Sequence, residues 1–137
     1  MQQANPSRRR ILVVEDEEMV LDLITTRLEI GGYQTFIARD GYQGLARIGE
    51  VRPDGVLLDI NMPRLDGFSM LKLMRERGVL AETPTMVLTA RNQPNDVATA
   101  IGLGAKDFLT KPFSTEQLLA RVARLVRRPG ASKAQTA

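Results

Sequence analysis

Four polar positions in this sequence each stand just beyond a short apolar run. Glu15-Asp16 follow "ILVV", Asp59 follows "VLL", Thr89-Ala90 close "TMVLTA", and Lys111-Pro112 come just after "KDFL". The set comprises three carboxylates, a hydroxyl and an ammonium, in a chain with no histidine and no cysteine. A carboxylate at the end of a core strand is costly unless it is paired, coordinated or exposed at the strand mouth. Clustered carboxylates repel, so one must keep its proton or a cation must sit among them. Oxygen donors alone favour a hard ion, Mg2+ or alternatively Mn2+, with water completing its shell. Such an ion would screen Asp59 and let its oxygen attack a phosphorus atom. Thr89 would donate its hydroxyl to one phosphoryl oxygen and Lys111 would neutralise another. Phosphoryl transfer is largely positioning and charge stabilisation, and an ionised carboxylate needs no general base. The chemistry therefore suits a chain that lacks histidine.

Taken singly, each residue has a plainer reading. Acids at Glu15 to Glu18 complement the start of the next helix. Asp59 is a turn former, and Thr89 and Lys111 are surface polar groups. The set gains meaning only if the strand ends converge, which depends on the elements that carry them.

Short apolar runs alternate with helical patterns along the whole chain. Ile11 to Val14 is a continuous β-branched run, as for a strand buried on both faces. Val20, Leu23, Ile24 and Leu28 predict one face of a helix ending at Gly31-Gly32. Tyr33 to Ala38 is the second strand, and Asp40 caps a short helix carrying Leu45 and Ile48. Val56 to Leu58 is the third strand, followed by a helix with Phe68, Leu71 and Met74 that stops near Gly78. Thr85 to Leu88 is the fourth strand, a weaker helix spans Val97 to Ile101, and Lys106 to Leu109 is the fifth strand. "STEQ" is a capping box at Ser114 and Gln117, ahead of an apolar face of Leu118, Leu119, Val122, Leu125 and Val126. Five βα units imply an α/β, doubly wound (βα)5 sandwich with a parallel sheet. The flavodoxin-like order 2-1-3-4-5 suits five strands, with a switch point at the C-terminal ends of strands 1 and 3. In that order all four polar positions meet on one edge of the sheet.

The length of 137 residues fits one domain, expected over residues 10–128 between flexible tails at 1–9 and 129–137. The net charge of +3 is modest, and the arginines at Arg8 to Arg10 and Arg121 to Arg128 are not interleaved with aromatics. Direct nucleic-acid binding by this chain is therefore not expected. The absence of histidine and cysteine excludes a Ser-His-Asp triad, a His-ligated zinc and disulfides. The N-terminus lacks an apolar signal-peptide core and no run reaches membrane length, so the expectation is a cytoplasmic chain without membrane contact.

The segments "ILVVEDEE", "VLLDINMPRLDG", "VLTA" and "GAKDFLTKPF" resemble the receiver domain of two-component response regulators, in order and at that family's spacing, from about Arg10 to Arg128. The resemblance implies a signalling receiver whose Asp59 accepts a phosphoryl group from a phosphohistidine on a sensor histidine kinase or a histidine phosphotransfer protein. It implies Mg2+ held by Asp16 and Asp59 side chains and the backbone carbonyl of Asn61, with Glu15 acting mostly through water. Thr89, the adjoining Ala90 and Lys111 become the phosphate-binding and switch positions, and Phe108 the aromatic switch. Asn61 and Arg91 fall where the family tunes dephosphorylation, and the bond before Pro112 is expected to be cis. Output would pass to a partner, or to a second copy, through the surface of the fourth helix, fifth strand and fifth helix. Lys106 stands where the subfamily most like the last helix carries an acid used in dimer salt bridges, which argues against that dimer. The chain reads equally as a stand-alone receiver or as part of a longer regulator.

Three other functions compete. A phosphatase of the haloacid dehalogenase type shares the Asp nucleophile and Mg2+, but would want a second Asp two residues on, where this chain has Asn61. A receiver-like module that no longer uses phosphate is disfavoured by the intact set of acids, Thr89 and Lys111. A DNA-binding role for the basic termini would need an ordered recognition element, which Arg8 to Arg10 lack. The expectation is thus a protein that assists its own phosphorylation and dephosphorylation without turning over an external substrate.

Overall fold

The computed structural model describes residues 8–91 and 93–127. Most of the two expected tails lies outside the described residues. Arg8 and Arg9, which fall within the first, bond to the chain at the start of the second strand: the Arg8 guanidinium donates to the carbonyls of Gly32 and Tyr33, and the Arg9 carbonyl accepts from Gln34.

The elements run β1 Arg10–Val14, α1 Glu18–Ile30, β2 Gln34–Ala38, α2 Gly41–Val51, β3 Gly55–Leu58, α3 Gly67–Glu76, β4 Thr85–Thr89, α4 Pro94–Gly102, β5 Asp107–Thr110 and α5 Thr115–Leu125. The five strands form one parallel sheet in the order β2-β1-β3-β4-β5. Residues 11–14 and 55–58 are buried throughout because helices cover both faces. On one face Ile11, Val13, Leu57, Met86 and Leu88 pack against α1 and α5. On the other, Leu12, Val14, Leu58 and Val87 pack against α2, α3 and α4. Among the described residues, no helix is long and apolar enough to cross a membrane.

The helix starts follow local chemistry. Asp40 and Asp66 accept from the backbone N–H groups of Gln43 and Ser69, and Ser114 and Gln117 close the reciprocal capping box at α5. The inward faces differ in part from the periodicity reading. In α1 the buried residues are Leu21, Ile24 and Leu28, while Leu23 is 46% exposed. The helix lies on the sheet along the line through positions 21, 24 and 28, which turns Leu23 outward. In α3 Met70 joins Leu71 and Met74 in the core and Phe68 is only half-buried. The fifth strand sits one residue later than expected: Lys106 is exposed and only bridges into the sheet, its N–H donating to the Thr85 carbonyl at 2.8 Å. α4 is longer than its apolar pattern because Pro94 occupies its first turn, where a missing N–H costs nothing.

Candidate functional site

The topology places the C-terminal ends of β1, β3, β4 and β5 along one edge. The Glu15 N–H still bonds to the Ala38 carbonyl at 3.0 Å and the Asp59 N–H to Val14 at 3.1 Å, so both acids extend the last rung of the sheet. Their positions are therefore set by backbone pairing rather than by loop conformation. Gly67 begins α3 directly beneath Asp59: a Cβ there would lie 2.4 Å from the Asp59 carbonyl oxygen and 2.7 Å from the Ile60 Cα. Only glycine permits that approach, which accounts for the Asp-Gly pair that breaks the chain after the strand.

Glu15, Asp16 and Asp59 each offer a carboxylate oxygen within 4.8 Å of the others. Glu15 is 1% exposed and Asp59 7%, whereas Asp16 is more open to solvent. The Lys111 ammonium enters from the end of β5, where its own N–H bonds to the Thr89 carbonyl at 2.9 Å and the Lys111-Pro112 peptide is cis. It donates to Oε1 of Glu15 at 2.9 Å and lies 3.6 Å from Oδ2 of Asp59. The second Glu15 oxygen accepts from the Glu17 N–H at 3.2 Å. Burial pushes the Glu15 carboxyl above the ordinary carboxylate range; the Lys111 hydrogen bond opposes this and the Asp59 charge adds to it.

Thr89 is buried at the end of β4, and its hydroxyl oxygen accepts from the Arg91 N–H at 3.3 Å. The Asn61 N–H points at Oδ1 of Asp59 at 3.4 Å. Asn61, Ala90, Arg91 and Pro112 are exposed around the rim. A depression of about 430 Å3 lies beside them, lined by Ile60, Asn61, Met62, Asp66, Phe68 and Arg91. A larger groove of about 1040 Å3 lies at the opposite end of the strands, between Arg52, Thr83 and Arg127, and contains none of these residues. Phe108 is half-buried two positions before Thr110. The register pairs Val87 with Phe108 and Thr89 with Thr110, so Thr89 and Phe108 share one face of the sheet.

The structure thus brings Glu15, Asp16, Asp59, Thr89 and Lys111 together and leaves Phe108 deeper along β5. Three features had no reading in the sequence. The Glu15–Lys111 pair spans 96 positions. Asp96, in the first turn of α4, is buried and paired with Arg91 at 2.7 Å. The close approach of Gly67 to the backbone of Asp59 and Ile60 arises only in the fold.

Comparison with known proteins bears on this edge. A family model described as Response regulator receiver domain matches residues 11–123. The chain is 40% identical over 119 residues to the DNA-binding dual master transcriptional regulator RpaA of Synechocystis, covering 87% of this chain and 49% of that protein. It is 42% identical to the response regulator MprA of a Mycobacterium species, covering 87% of this chain and 51% of that one. The chain therefore spans about half the length of the curated relatives it matches. Among solved structures, the Vibrio cholerae chemotaxis protein CheY4 superposes with a TM-score of 0.81 at 30% identity, covering 87% of this chain and 99% of that one. The receiver domain of Francisella response regulator 1452 gives 0.81 at 34% identity, with 87% and 97% covered.

Proposed function

The chain belongs to the receiver domains of two-component response regulators, and from that premise we propose that it takes up a phosphoryl group on Asp59. The donor is a phosphohistidine on a sensor histidine kinase or a histidine phosphotransfer protein. The observation that carries this reading is Asp59 itself: a nearly buried carboxylate at a strand end, with Glu15 and Asp16 within 4.8 Å and the Lys111 ammonium 3.6 Å away.

An Asp59 oxygen forms the new bond to phosphorus while the phosphorus–nitrogen bond of the donor breaks, and the departing imidazole keeps that electron pair. Lys111 faces the incoming charge from the β5 side. The Thr89 hydroxyl, whose oxygen accepts from the Arg91 N–H, is free to donate to a phosphoryl oxygen, and the rim N–H groups beside Ala90 add donors. Oxygen donors with no histidine or cysteine fit a hard divalent ion. Asp16, Asp59 and the Asn61 carbonyl would hold Mg2+, or Mn2+ in its place, and when bound it supplies charge neutralisation at the reacting oxygens. Both Glu15 oxygens are already engaged, by Lys111 and the Glu17 N–H, so Glu15 serves any ion through water and serves Lys111 directly.

Phosphate on Asp59 adds roughly −1.5 to −2 charges. Drawing the Thr89 hydroxyl toward it vacates space on the face shared with Phe108, whose inward packing remodels the surface of α4, β5 and α5. A partner or second copy docks there. Asp107 on that surface is engaged within the chain, by Arg121 at 2.8 Å and Arg124 at 3.3 Å.

Incubation with acetyl phosphate and Mg2+ tests the site. Wild type should gain one base-labile phosphoryl group by intact mass and should not hydrolyse a generic phosphomonoester continuously. Asp59→Asn should gain none; full labelling of that variant rejects the assignment.

A further inference from the structure

The N-terminal ends of β3, β4 and β5 open on the groove of about 1040 Å3, at the end of the sheet that the Asp59 site does not use. Its floor is apolar, formed by the largely buried Ile48, Leu125 and Val126. One polar side chain is set into that floor. Thr83 is 6% exposed, and its hydroxyl has no hydrogen-bond partner among the described residues, whereas the nearby Thr85 hydroxyl donates to the Thr83 carbonyl at 3.0 Å. Every fully buried side-chain oxygen or nitrogen among the described residues is bonded, so the unpaired Thr83 hydroxyl is the part of that residue that reaches the groove. The rim carries the charge. Arg52, Lys106 and Arg127 are exposed there and form no ion pair among the described residues. Of the lining acids, Asp107 is held by Arg121 and Arg124, and Asp54 accepts from the Arg10 N–H, which leaves Glu82 against those cations. Arg52 also caps α2 in the left-handed region, at φ 53 and ψ 63, where glycine or asparagine is the usual choice. A strained arginine held at the mouth of a groove points to a use for its side chain.

We propose that this groove is a second binding site, for a small amphipathic organic anion. Its apolar body lies on Leu125 and Val126, its carboxylate, sulfonate or phosphate stands among Arg52, Lys106 and Arg127, and Thr83 offers it a hydroxyl. The volume is that of a site for a small organic molecule, and an apolar floor with a few polar groups is the usual lining of one. An inorganic anion would leave the floor wet, and a neutral hydrocarbon would leave the cations without a counter-charge. Only a molecule with both parts uses both features. The occupant touches β5 and α5 through Lys106 and Leu125, at the far end of the strands from Asp59, and needs no phosphoryl group on Asp59.

The test titrates the full, unphosphorylated chain with two fluorescent probes, anilinonaphthalenesulfonate and phenylnaphthylamine, which share an aromatic body and differ by the sulfonate. Wild type should bind the sulfonate saturably and about tenfold more tightly than the neutral probe, the scale of a few exposed charge contacts. Arg52→Gly, which suits the left-handed backbone, and Lys106→Glu should each weaken the sulfonate by about fivefold and leave the neutral probe unchanged. Lys72→Glu makes the same charge change at an exposed position on α3 outside the groove, and should bind both probes as wild type does. Amide NMR shifts with the sulfonate should centre on Thr83, Lys106 and Val126. Shifts centred on α1 or on the Asp59 edge overturn the proposal. So do equal affinities for the two probes, a signal that does not saturate, or equal weakening by Lys72→Glu and Lys106→Glu.

Discussion

The Lys111 ammonium donates to Oε1 of Glu15 at 2.9 Å, joining two residues 96 positions apart in the chain. The carboxylate is almost wholly buried, at 1% side-chain exposure, while the lysine retains 18%. The pair is asymmetric: Glu15 without Lys111 is a buried acid with no cation, whereas Lys111 without Glu15 still has Asp59 and solvent.

Lys111→Met should therefore lower stability more than Glu15→Gln. Breaking a buried pair by removing one partner costs about 3–5 kcal/mol. Urea unfolding in the presence of a chelator measures both, and equal midpoints for wild type and Lys111→Met would refute the asymmetry.

The raised Glu15 carboxyl fixes the sign of a pH effect. Burial is the largest cause, so the folded state holds this proton above the usual 4.5, at pH values where the unfolded chain has released it. Where the native state binds more protons, stability falls as pH rises. The Glu15 contribution is therefore fully present below pH 4.5 and declines as pH climbs through the raised folded value. Without divalent ions, wild type should lose stability relative to Glu15→Gln over that interval. Parallel profiles for the two proteins would contradict it.

Asp16→Asn should stabilise the metal-free protein and weaken magnesium binding. Three carboxylates within 4.8 Å share one nearby ammonium, so deleting the most exposed charge relieves repulsion. A gain of about 1 kcal/mol is the scale for a largely solvated charge. Thermal unfolding with and without Mg2+ reads both effects, and a variant that matches wild type in each would show that Asp16 lies outside the metal site.

Thr89→Ala should still accept phosphate on Asp59 but fail to transmit it. Thr89 and Phe108 share a sheet face without a hydroxyl on Phe108, so the link runs through packing alone. Amide NMR shifts with beryllofluoride as phosphoryl mimic should spread to Phe108 and α4 in wild type only. Equal shifts in both proteins would remove Thr89 from the coupling and leave the phosphorylation site intact.

The element order, the parallel topology and the convergence of acids, threonine and lysine on one edge were readable from the chain, because they rest on local signals. A continuous β-branched run, a capping box, a glycine stop and a polar residue after an apolar run all act within a few residues of one another. Side-chain orientation on α1 was not legible: Leu21 and Leu23 are chemically alike, and only the angle at which the helix meets the sheet buries one and exposes the other. The Glu15–Lys111 and Arg91–Asp96 pairs were equally silent, since acids and bases that bond are ordinary until the fold sets them 2.9 and 2.7 Å apart. Residue type and spacing determined which chemistry this edge can perform. The tertiary structure decided which charge neutralises which, because electrostatic pairing depends on distance and burial, and both arise only once the strands are side by side.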